Sequence, residues 1–131
     1  VRLRHLDRDN ARRQAIAARY DAALAENRQL APPQRRDGAD HVFHQYVLSS
    51  SDRDALQASL RAAGIGTNVH YPMPVHLQPA YLGRVAIGPD GLARSESAAR
   101  SVLSLPMFAQ MTDTQVETVC GALRRVGSQP R

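Results

Sequence analysis

The side chains best placed to do chemistry cluster in one stretch, Gly64 to Tyr81, which reads GIGTNVHYPMPVHLQPAY. It holds two histidines, His70 and His76, two tyrosines, Tyr71 and Tyr81, and the amide of Gln78, between three prolines, Pro72, Pro74 and Pro79. Proline fixes φ, removes a backbone donor and pushes the preceding residue out of the α region. The stretch therefore reads as a stiff, irregular loop, the kind of support on which site residues often sit. His70 and His76 could be a pair of metal ligands, but no third ligand has suitable local spacing, so no metal site is expected. Asp52 and Asp54 read as helix-start charges rather than a catalytic pair. Cys120 reads as a core thiol rather than a nucleophile. His44 and Gln45, upstream, add a second polar pair within an apolar segment. Each histidine also has a plainer reading as a structural residue bonded to its own surroundings, His76 above all.

Elements able to carry this loop can be read in order. Asp7 or Asp9 can cap a helix running to about Asn27, with Ile16, Tyr20 and Leu24 as a narrow apolar stripe. Leu30 to Asp40, with Pro32, Pro33 and Gly38, reads as an exposed loop. His41 to Ser50 is rich in β-formers and reads as a strand central to the sheet, with His44 in the core and Gln45 outward. Ser51 can cap a helix with Leu56, Leu60 and Ala63 buried, and Gly64 stops it. Thr67 to Val69 is a brief extended segment. Arg94 to Val102 is a short helix with Ser95 as a candidate cap, and the run to Leu105 is a short buried strand ended by Pro106. Thr112 and Gln115 form a capping box for a last helix whose apolar stripe is Val116, Val119, Cys120, Leu123 and Val126. These elements predict a two-layer α/β domain, a small sheet of about three strands with helices mainly on one face.

Composition narrows the function classes. The chain has 131 residues, one cysteine, and 17 basic residues that are all arginine, with no lysine. A single cysteine excludes an internal disulfide framework and suits a reducing, cytoplasmic compartment. No apolar run is long enough to cross a bilayer as a helix. Val1 to Arg36 carries nine arginines against four acids, whereas the remainder balances eight against eight, so the net charge of +5 sits in the first helix and its trailing loop. A basic helix can bind nucleic acid through phosphates. Asp7, Asp9, Asp21 and Glu26 interrupt it, which favours a solvated face or a docked one. The first residue, Val1 rather than Met, hints that the start is not a natural one.

The Gly64–Tyr81 run, followed by Leu103-Ser104-Leu105-Pro106-Met107, resembles the C-terminal part of the DegT/StrS family, pyridoxal-phosphate (PLP) aminotransferases acting on nucleotide-linked keto-sugars. Asn10-Ala11-Arg12-Arg13, Ala17-Ala18-Arg19-Tyr20, His44-Gln45-Tyr46 and Arg53-Asp54 match in the same order. The resemblance implies a long inter-domain helix over residues 1–29 and the small C-terminal α/β (α+β) domain over 30–131, its sheet mostly antiparallel. The large N-terminal domain, which supplies the Schiff-base lysine and most contacts to PLP, is absent from this chain. Without a lysine the chain should hold no PLP and be inactive alone. It is expected to wall the substrate side of the cleft, with substrate-binding residues His70, Tyr71, His76, His44 and Gln45, no catalytic or cofactor-binding residues, and a homodimer as the working state. A PLP-dependent sugar dehydratase of the same family, in which histidine replaces that lysine in the missing part, is not separated from an aminotransferase by this sequence. A stand-alone, non-catalytic dimerisation or nucleotide-sugar-binding module and a nucleic-acid-binding domain are the other readings.

Overall fold

The computed structural model describes residues 2–127. The expectations that fall on Val1 and on the last four residues lie outside them. After a single 3-10 turn, Arg2–His5, the elements are α1 (Leu6–Leu24), β1 (Leu30–Ala31), β2 (Tyr46–Ser50), α2 (Arg53–Ala62), α3 (Ala93–Ser101), β3 (Val102–Leu105) and α4 (Asp113–Gly127). The strands form one antiparallel sheet in the order β1-β2-β3, with β2 central. An isolated antiparallel bridge between Asn68 and Ser104 extends it beyond β3.

Register divides the sheet into two faces. Tyr46 pairs with Leu105 and Leu48 with Leu103, all four buried, and they join one hydrophobic cluster with Ile16 and Tyr20 of α1, Leu56 and Leu60 of α2, and Val116 and Leu123 of α4. Burial of this cluster is the main force holding three helices to one face. Val47, opposite Ser104, and Val102, opposite Ser49, lie on the other face. There they line a cleft beneath the proline loop and α3. The expected architecture is the observed one.

Two helix ends follow their local sequence closely. Thr112 Oγ1 accepts from the Gln115 backbone N–H at 3.2 Å while Gln115 Oε1 accepts from the Thr112 N–H at 2.9 Å, a reciprocal capping box. Gly64, at φ +76°, ends α2 with a Schellman pair: the Gly64 N–H donates to Arg61 O and the Ile65 N–H to Leu60 O, both at 2.9 Å.

Several expectations need correction. α1 is not capped by an aspartate; Asp7 and Asp9 fall in its first turn, after His5, where they complement the helix dipole. The cap of α2 is Asp52, which accepts from the Ala55 N–H, rather than Ser51, and Ala63 is exposed. α3 starts at Ala93 with no side-chain cap, so Ser95 lies inside it. The strand expected over His41–Ser50 begins only at Tyr46, because Phe43 adopts φ +47°, which breaks the extended alternation. Phe43 is buried in that conformation, its N–H donating to His41 Nδ1 at 3.0 Å and its ring stacked on Tyr46. Part of the expected 30–40 loop is a strand: Leu30 and Ala31 pair with Ser50 and Ser49.

Two arginines of α1 reach onto α4. Arg12 bonds Asp113 at 2.9 Å and the Met111 carbonyl at 2.8 Å, and Arg19 bridges Asp113 and Glu117 at 3.2 and 3.0 Å. Much of the basic stripe is thus matched by acids of this same chain. No helix among the described residues is long and apolar enough to cross a membrane.

Candidate functional site

The proline loop runs across the second sheet face, with the His70–Tyr71 peptide bond cis and a 3-10 turn at Val75–Leu77. Two anchors hold it. At one end the Asn68–Ser104 bridge exchanges both backbone hydrogen bonds, at 3.2 and 2.8 Å. At the other end the buried His76 places Nε2 3.1 Å from Glu96 Oε1 in α3. His76 is thereby a loop anchor. Between the anchors, His70, Tyr71, Met73, Pro74, Val85 and Leu92 line a cleft of about 590 Å³ floored by Val47 and Val102.

One polar cluster is set into this apolar cleft. His70 Nδ1 lies 3.0 Å from Ser104 Oγ and 3.3 Å from Gln45 Nε2. The geometry follows from register. Gln45 is two residues before Val47, which pairs with Ser104, so both project from the same face; His70 is two residues past Asn68, the other neighbour of Ser104. Tyr71 stands edge-on to His70, ring centroids 5.7 Å apart, and is 75% exposed, so its ring is offered to solvent.

Of the expected site residues, the structure brings His70, Gln45 and Tyr71 together, and places His76 on the same loop but engaged with Glu96. His44, expected in the core, is exposed, while Gln45, expected outward, is half-buried against His70. The reversal follows from Phe43, which shifts the alternation ahead of β2. Ser104 and Glu96 carried no expected role. Ser104 had one visible signal: it is the lone hydroxyl in an otherwise apolar run, Val102 to Met107.

The ionisable groups of the core do other work. Tyr20 donates to the Pro106 carbonyl at 2.8 Å, and Tyr46 donates to Asp21 Oδ1 at 2.7 Å. Burial raises both phenols well above the ordinary tyrosine range, and for Tyr46 the bond to Asp21 adds to it. Burial likewise raises the Cys120 thiol, which keeps it in its unreactive form.

PLP needs a primary amine to bond its aldehyde, and this chain has none on a side chain, since every basic residue besides histidine is arginine. The residues present do not fit that role.

The sequence profile described as the DegT/DnrJ/EryC1/StrS aminotransferase family matches residues 1–124. The dTDP-3-amino-3,4,6-trideoxy-alpha-D-glucose transaminase of Streptomyces venezuelae is 43% identical over 125 residues, covering 95% of this chain and 32% of that protein. The UDP-2-acetamido-2-deoxy-3-oxo-D-glucuronate aminotransferase of Pseudomonas aeruginosa is 35% identical over 93% of this chain and 33% of its own length. Among solved structures, S. venezuelae DesV superposes with a TM-score of 0.93 at 40% identity, over 99% of this chain and 35% of that one. The chain thus spans about a third of the length of the relatives it matches.

Proposed function

The chain belongs to the DegT/DnrJ/EryC1/StrS aminotransferase family, and from that premise we propose that it is the C-terminal, substrate-facing third of a PLP-dependent aminotransferase acting on a nucleotide-linked keto-sugar. The observation that carries the reading is a division of labour. A rigid cleft with the His70, Gln45 and Tyr71 groups is present, whereas the amine required to hold PLP is absent from all 131 residues.

In this reading residues 1–29, which contain α1, lead back to the cofactor-holding N-terminal domain, and residues 30–131 form the small domain. His70 and Gln45 supply hydrogen bonds to sugar or phosphate oxygens, and Tyr71 supplies a stacking surface. His44 stands at the rim, and His76 keeps the loop in place through Glu96. A run of exposed apolar side chains, Tyr71, Met73, Val75, Leu77, Tyr81 and Leu82, meets the missing domain or the second subunit of a homodimer. The working protein is cytoplasmic.

The test uses the protein as its source cell makes it. Borohydride reduction should fix PLP to a lysine that peptide mapping places outside these 131 residues, and the protein should transfer an amine to a nucleotide-linked keto-sugar. PLP held without a lysine would point to the sugar-dehydratase branch. Binding of nucleotide-sugars with no PLP at all would replace the proposal with a non-catalytic module.

A further inference from the structure

We propose that Ser104 is a positioning residue that, with Gln45, fixes His70 as the tautomer protonated on Nε2, so that the cleft always presents an N–H donor at that atom. The two neighbours of Nδ1 decide the proton's place. Gln45 approaches with its amide nitrogen, which can only donate, at 3.3 Å. A proton on Nδ1 would set donor against donor. Nδ1 therefore accepts, and Ser104 Oγ, the nearer neighbour at 3.0 Å, donates to the same lone pair. In a neutral imidazole the remaining proton must then sit on Nε2. His70 is exposed, and its Nε2 has no bond to another described residue.

Ser104 suits this task because its own position is over-determined. It is buried, paired in register with Val47 on one side and bridged to Asn68 on the other through both backbone groups. Its hydroxyl cannot follow the ring if the ring moves. The tautomer matters because the carbonyl oxygen of a keto-sugar and ionised phosphate oxygens accept hydrogen bonds and do not donate them. A histidine presenting a bare Nε2 lone pair would repel them. The choice of acceptor rests on the aminotransferase reading above; the tautomer itself does not.

The experiment is a multiple-bond 1H–15N correlation on the 131-residue chain labelled at its histidine rings, at a pH of about 8.5 where ordinary imidazoles are neutral. The wild-type ring of His70 should show an unprotonated Nδ1 and a protonated Nε2. Gln45→Glu, which turns the donor into an acceptor, combined with Ser104→Ala should move the proton to Nδ1. Ser104→Ala alone, which leaves the Gln45 amide free to turn its oxygen to Nδ1, should give a mixture, and Ser104→Thr, which keeps the hydroxyl, should restore the wild-type pattern. A wild-type ring protonated on Nδ1, or a pattern unmoved in the double variant, would overturn the assignment. Failure of the longer protein to bind dTDP-glucose or UDP-glucose would end the functional reading while leaving the tautomer result intact.

Discussion

Tyr46, in the central strand, donates its phenolic hydrogen to Asp21 of α1 at 2.7 Å, and Arg35 closes the same carboxylate from the intervening loop. Arg35 also lies over the ring of Phe43, 4.9 Å from its centroid, and that ring stacks on Tyr46. One carboxylate thus ties α1, the connection between β1 and β2, and the strand that follows Gln45. Tyr46→Phe removes the phenolic hydroxyl and with it the bond to Asp21. It is expected to destabilise the fold by about 1–2 kcal/mol in urea unfolding, in the range for a hydrogen bond to a charged group. Because the folded phenol ionises above its ordinary range, its contribution is complete below about pH 10 and declines as pH rises through the folded value. A variant as stable as the wild type at neutral pH would show that Arg35 alone holds Asp21.

The α1–α4 contact should weaken in acid. Hydrogen bonds and charge from Arg12, and the charge of Arg19, hold the Asp113 carboxyl below its usual range; hydrogen bonds from Arg19 and Arg124 do the same for Glu117. A carboxylate whose pKa is lowered on folding contributes stability that is complete above the unfolded value and is lost as pH falls through the folded one. Thermal melts of wild type and of the Asp113→Asn/Glu117→Gln double variant should therefore differ at pH 7 and converge below about pH 4. Both acids are exposed, so the difference should also shrink in high salt. Curves separated equally at every pH would assign the effect to packing.

What could be read from the sequence was what is decided locally. The capping box of Thr112 and Gln115 and the Gly64 stop depend on residues within one turn, and both were visible in the residue order. The stripe of α4 and the central place of β2 were equally legible, because helical periodicity and β-former content carry them. The rest depended on distant partners. Leu30 and Ala31 form a strand only because Ser50 and Ser49 lie opposite. Phe43 takes a left-handed backbone because Tyr46 and Arg35 enclose its ring, and that single residue moves His44 out and Gln45 in. The His70–Ser104 contact spans 34 residues and follows from a bridge no local pattern announces.

The exposed apolar run from Tyr71 to Leu82 gives a third expectation. The isolated 131-residue chain should self-associate, with light scattering showing a mass that grows with concentration. Replacing Val75 (61% exposed) and Leu82 (61% exposed) with serine should reduce that growth without lowering stability, since neither is in the core. A monomer at high concentration would mean that this surface needs no partner.

In the longer enzyme proposed above, His70→Ala should raise the KM for the proposed keto-sugar about tenfold, the equivalent of one hydrogen bond of about 1.4 kcal/mol, with the PLP absorbance unchanged. Loss of the cofactor band in that variant would place His70 on the cofactor side of the cleft instead.

The most direct measurement is the intact mass of the polypeptide that carries these residues in its source cell. This chain makes up 32% of the transaminase it resembles, so the account proposed above predicts a mass of about three times its 14.4 kDa. A mass of 14.4 kDa would contradict the account. The chain would then be a complete binding module, unable to carry out amine transfer.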